Sequence, residues 1–178
     1  RDWVGRGAAR LIEVALQHVV PHHAQDPQKH AVETRLLAAF MARYQDSVCE
    51  ASTVYPGVAE FVAAARAAGI RLACVTNKPY RPAVALLEAL NLLDAFELVI
   101  GGDTLAHKKP HPEPLLHCLR HFEVTAAQAL MIGDSRNDVD AAKAAGVRSL
   151  AVPYGYNHGE PIEACEPDRL VASLAELI

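Results

Sequence analysis

From Val54 onward the chain alternates short β-rich runs with helical ones, and this alternation restricts the fold more than any other feature. A helix is predicted from about Val58 to Ala68, closed by Gly69, and leads into the strand-like run IRLACV. A helix near Arg81 to Leu90 then precedes FELVI, and a helix near Pro114 to Phe122 precedes ALMI. A helix near Asn137 to Ala145, closed by Gly146, precedes RSLAV, and a last helix is predicted near Leu170 to Leu177. Repeated β-α units joined by right-handed crossovers predict an α/β fold, a mostly parallel, Rossmann-like sheet covered on both faces. Ligands in such sheets sit beyond the carboxyl ends of the strands.

Before Ser52 the pattern is helical throughout. Val4, Ala8, Leu11, Ala15 and Val19 recur at spacings of three and four, as do Val32, Leu36, Phe40 and Tyr44, with PHHAQDPQK as a loop between them. Two units are therefore expected, an α-helical one over residues 1–52 and the α/β one over 53–178. Net charge is −4 and no Lys- or Arg-rich run occurs, which argues against nucleic acid or an anionic membrane as partner and leaves a small molecule. No stretch approaches the roughly 20 apolar residues of a membrane span. Cys49, Cys74, Cys118 and Cys165 are widely separated, and two of them lie in apolar runs, so reduced thiols and a cytoplasmic location are expected. The oligomeric state is not legible in the sequence. The first residue is Arg1, which we read as a fragment, a processed chain or a sequence whose first residues are left out.

Three loops at predicted strand ends carry chemistry-bearing residues. In CVTNKP, Thr76 and Asn77 follow an apolar strand, where a hydroxyl, an amide and free N–H groups suit a phosphate oxyanion; Thr76 equally suits a helix cap. In GGDTLAHKKPHPEP, Lys109 precedes proline and is held out of helical geometry, a point charge for phosphate or simply a solvated side chain. His107 and His111 lack metal-ligand spacing to other histidines and read as surface residues. In LMIGDSRNDVD, Asp134 ends a buried strand, where its carboxylate requires a cation, a metal or hydrogen-bond donors. Asp138 falls in the first turn of the next helix, as a dipole-stabilised carboxylate or as a group behind Asp134 that orients Lys109. Together these loops suit Mg²⁺, a hard ion held by few carboxylates and by phosphate oxygens, and a phosphorylated small-molecule substrate.

VTN, KKPHP and GDSRND, in this order, resemble the second, third and fourth motifs of the haloacid dehalogenase superfamily of phosphohydrolases. YPGV, VTNKP, GGDT, GDSRNDVDAAKAAG and YGYNHGEPI are similar to the members that hydrolyse 2-phosphoglycolate. The resemblance implies a Rossmann-like phosphatase core with a partial α-helical cap at 1–52. It assigns Thr76, Lys109 and Asp138 to catalysis, Thr76, Asn77 and Lys109 to the phosphoryl group, and Asp134 to Mg²⁺. We add Arg6, between Gly5 and Gly7, as a contact for a substrate carboxylate; an exposed arginine beside two glycines is the competing reading. The superfamily's Asp-x-Asp motif, nucleophile and general acid/base, has no counterpart in these residues. The strand bearing it would lie mid-sheet, between those ending at Thr76 and Gly133. The 178 residues alone are therefore expected to be inactive and unable to fold stably as a monomer, or else to be a non-catalytic phosphate-binding module. Other phosphate esters, or a sugar phosphate mutase activity, are the alternatives within the superfamily.

Overall fold

The computed structural model describes residues 8–20, 27–46, 52–157 and 159–178. Two helices come first, α1 (Ala8–Val19) and α2 (Lys29–Asp46), and they pack on each other. The α/β unit follows as α3 (Val58–Ala67), β1 (Ala73–Val75), α4 (Tyr80–Ala89), β2 (Leu98–Ile100), α5 (Glu113–Phe122), β3 (Leu130–Gly133), α6 (Arg136–Ala145), β4 (Arg148–Ala151) and β5 (Arg169–Leu170). Every strand pair is parallel, as the alternation requires.

The strands form two sheets, β1-β2 and β3-β4-β5. Among the described residues nothing pairs with the second edge of β1 or of β3. Val75 and the Met131-Ile132 pair border the same cavity. A shared layer of helix spans the two sheets, because Leu115 of α5 and Ala141 and Ala142 of α6 pack together against both Val75 and Met131. The two alanines are fully buried, and their small size lets α6 lie close to the strands.

Strand β4 shows how the period of two builds the core. Leu150 joins Val152, Val171 and Leu174 in a cluster against Val58 and Phe61 of α3, while Ala151 faces the other way onto Val139, Ile162 and Cys165. Ser149, also buried, is satisfied by Asp168: its N–H and hydroxyl donate to Oδ2 at 2.7 and 2.9 Å. Cys74, Cys118 and Cys165 are free thiols, as expected, while Cys49 lies outside the described residues. No helix among the described residues is long and apolar enough to cross a membrane.

The helix predicted near Leu170 to Leu177 is corrected. Arg169 and Leu170 pair with Leu150 and Ala151 as a fifth strand, and only Leu174–Leu177 turns, as a 3₁₀ helix. Ser173 caps that turn, its Oγ accepting from the Ala175 N–H. Pairing with a central strand outweighs the helical spacing of so short a run, which has too few residues to repay helix nucleation.

Candidate active site

Helix α6 sets the site's geometry through its first turn. Ser135 is the N-cap, and Asp138, three residues on, reaches back in a capping box. Asp138 Oδ2 accepts from the N–H groups of Asp134 and Ser135, both at 3.0 Å, and from the Ser135 hydroxyl at 2.8 Å. Its Oδ1 meets the Lys109 ammonium at 2.6 Å. One carboxylate therefore ties the loop after β3 to the loop after β2. Gly133 is required for this close return, since a Cβ there would overlap the Asp138 side chain.

The Lys109–Asp138 pair is buried, at 8% and 4% exposure, so its charges are not dispersed by solvent. Lys109 Nζ also donates to the carbonyl of Val75, at the end of β1. An ammonium has three N–H donors, and two are spent on these fixed acceptors. Burial alone would raise the Asp138 pKa, but the Lys109 ammonium and the Ser135 hydroxyl outweigh it and hold the carboxyl below its usual range.

Asp134 behaves in the opposite way. Burial, and then the charge of Asp138, push its pKa upward, opposed chiefly by the Tyr156 N–H, which donates to Oδ2 at 3.1 Å. A carboxylate in this position is short of positive charge, and its surroundings fit a cation. The Tyr154-Gly155-Tyr156 turn closes over it; a Cβ on Gly155 would collide with the carboxylate. Asn157, buried, fastens the turn to α6 by accepting the Arg136 N–H at 2.7 Å and donating to the Glu160 carbonyl. The sequence pattern hid these roles, because a glycine and an asparagine in a loop look the same whether or not a carboxylate lies against them.

On the other side of the cavity, Thr76 Oγ1 accepts from the Lys78 N–H at 3.1 Å. Thr76 is not the cap of α4, whose N-cap residue is Pro79. Asn77 donates through Nδ2 to the Lys109 carbonyl at 2.8 Å, which fixes the amide's orientation because a carbonyl can only accept. Its buried Oδ1 has no hydrogen-bond partner among the described residues. The Asn77 amide thus braces the lysine loop. The Gly102 N–H donates to the Lys78 carbonyl at 2.8 Å, and Tyr80 N–H to Asp103 Oδ1 at 2.7 Å, so the GGDT turn locks this loop from behind.

Thr76, Asn77, Lys109, Asp134 and Asp138 all line one cavity of about 810 Å³. Ala8, Leu11, Phe40 and Met41 of α1 and α2 supply an apolar wall. Lys78 and Lys109 are the cations among its lining residues, and Asp134 and Asp138 the carboxylates. Arg6 lies outside the described residues. His107 and His111 are both exposed, in line with the surface reading, and with Glu113 they form a cluster whose potential ligand atoms lie within 4.8 Å of one another. Spacing between histidines alone left out the carboxylate that completes it.

Residues 7–152 match the profile of the haloacid dehalogenase-like hydrolases. The chain is 44% identical, over 99% of its length and 77% of the relative's, to a phosphoglycolate phosphatase of Nitrosococcus oceani. It superposes with a TM-score of 0.84 and 31% identity on the crystal structure of a predicted phosphoglycolate phosphatase from Haemophilus somnus 129pt, covering 99% of this chain and 78% of that one. CbbY from Rhodobacter sphaeroides, crystallised in complex with phosphate, matches at a TM-score of 0.69 and 31% identity, over 97% of this chain and 75% of that one. With a parallel sheet, three loops meeting at one cavity and likeness along nearly its whole length, the chain belongs to the haloacid dehalogenase-like hydrolases.

Proposed function

We propose that this chain forms the greater part of a Mg²⁺-dependent phosphomonoesterase whose substrate is 2-phosphoglycolate. The observation that carries the reading is the buried Lys109–Asp138 pair opening onto the cavity that Thr76 and Asp134 share. Two of the three Lys109 donors are held by Val75 and Asp138, so the third is left to meet a phosphoryl oxygen without reorganisation. The Thr76 hydroxyl donates to a second oxygen, and Asn77 holds the lysine loop in place. Asp134 would hold Mg²⁺, which when bound offsets negative charge on the phosphoryl group. In the complete protein the phosphoryl group passes to an aspartate and then to water, and the slot between β1 and β3 is where we place the strand bearing that nucleophile. Helices α1 and α2 act as the cap that selects the substrate, with Arg6 as the contact for its carboxylate. The free thiols of the core support a reducing, cytoplasmic setting.

The similarity to a phosphoglycolate phosphatase and to a predicted one supports this substrate over a sugar phosphate. The test is turnover of a panel of phosphate esters with Mg²⁺ and with chelator. Preferential hydrolysis of 2-phosphoglycolate, lost in chelator and in Lys109→Met, is the expected result. Equal activity with and without metal overturns the Mg²⁺ assignment, and equal rates on esters lacking a carboxylate overturn the substrate.

A further inference from the structure

The segment from His107 to Glu113 carries two imidazoles and a carboxylate that the phosphoryl site does not use. The rings of His107 and His111 stack with centroids 4.1 Å apart. Glu113 Oε2 accepts from the His107 N–H at 2.7 Å and from its ring Nδ1 at 2.9 Å, while the Glu113 N–H donates to His111 Nδ1 at 3.2 Å. Pro110, Pro112 and Pro114 restrict the backbone between and beside these residues, so little conformational entropy remains to be lost when a ligand binds.

We propose that His107, His111 and Glu113 form a binding site for a borderline divalent transition ion, Zn²⁺ foremost, separate from the proposed Mg²⁺ site. Two imidazole nitrogens and one carboxylate oxygen are a donor set that zinc takes with water in the fourth position. Mg²⁺ takes oxygen ligands and has no comparable use for the rings. A metal ion can replace the proton that His107 Nδ1 shares with Glu113 Oε2, 2.9 Å away, which sets this nitrogen and this oxygen on the ion together. Potential ligand atoms already lie within 4.8 Å of one another. In a tetrahedral zinc site they are about 3.4 Å apart, so the ligand atoms need only draw slightly closer when an ion binds. The His107 side chain is 59% exposed, which gives the ion an entry path and room for water. Lys109 lies between the two histidines in sequence, so a bound ion would brace the segment that delivers its ammonium to the cavity.

Equilibrium dialysis of the purified protein against Zn²⁺, with excess Mg²⁺ present, tests the site. One Zn²⁺ per chain should be retained, and His107→Ala and His111→Ala should each weaken binding by more than about tenfold. Glu113→Gln, which removes the carboxylate ligand, should weaken it by more than about tenfold as well. Asp134→Asn should leave it unchanged. His107→Gln and His111→Gln repeat the test with side-chain volume kept, and the His22→Ala/His23→Ala double variant controls for the other adjacent histidines. With Cu²⁺ as probe, electron paramagnetic resonance should show two coordinated nitrogens, with one lost in each single histidine variant. No uptake of Zn²⁺, displacement by Mg²⁺, or loss of binding that follows His22 and His23 instead would overturn the proposal.

Discussion

Replacing Asp138 by asparagine keeps the shape of the side chain and removes its charge at the point where two loops are tied together. The carboxylate accepts four hydrogen bonds, from Lys109 Nζ at 2.6 Å, the Ser135 hydroxyl at 2.8 Å, and the N–H groups of Asp134 and Ser135 at 3.0 Å. An amide offers one oxygen. If it faces Ser135 and Asp134, the amide N–H groups oppose the Lys109 ammonium; if it faces Lys109, they oppose three donors. Removing one member of a buried ion pair costs about 3–5 kcal/mol, a large share of the roughly 5–15 kcal/mol that stabilises a typical domain. Lys109→Met should cost a similar amount, because Asp138 would keep its neutral donors but lose its counter-charge. In the double variant neither charge is stranded, so the loss should fall short of the sum by about 2 kcal/mol or more. Urea unfolding followed by circular dichroism measures all three. The pH dependence has a definite sign: the folded-state pKa of Asp138 is lowered, so its contribution is present above its unfolded value of about 3.9 and is lost as pH falls below it. Asp138→Asn should lack that loss. Losses that add to within about 0.5 kcal/mol would refute the view that Lys109 and Asp138 act as a unit.

The raised pKa of Asp134 means that protons compete there with a cation, so Mg²⁺ should raise the melting temperature more at pH 7 than at pH 5, and not at all in Asp134→Asn. Differential scanning fluorimetry over that range checks both. Asn77→Ala removes one hydrogen bond to the Lys109 loop and should cost about 1 kcal/mol of stability. If Asn77 acts only by positioning, steady-state kinetics should show kcat falling with KM little changed. Gly155→Ala drives a methyl into the Asp134 carboxylate and should weaken Mg²⁺ binding by about tenfold, read by titration calorimetry, while the far-ultraviolet dichroism stays as it was. Arg6→Ala should raise KM for 2-phosphoglycolate and leave it unchanged for esters without a carboxylate; an unchanged preference removes Arg6 from the site.

Much of this protein follows from local chemistry that the sequence displays directly. The alternation after Val54 determined a parallel α/β unit. Gly146 determined where α6 ends, because such a cap depends only on neighbours in the chain. Asp134 at a strand end and Asp138 one turn on could be read for the same reason. Tertiary structure decided what those groups meet. Asn77 turns its amide to Lys109, 32 residues away. Gly155 matters because Asp134 lies against it, and Asn157 because it closes a turn onto α6. Arg169 and Leu170 became a strand because β4 offered an unpaired edge, which no local spacing reveals. His107 and His111 look unrelated until the proline-bounded loop folds back and sets Glu113 against them. Periodicity and caps involve residues a few positions apart, whereas each of these pairings depends on which distant backbone or side chain the completed fold brings within hydrogen-bonding or van der Waals reach.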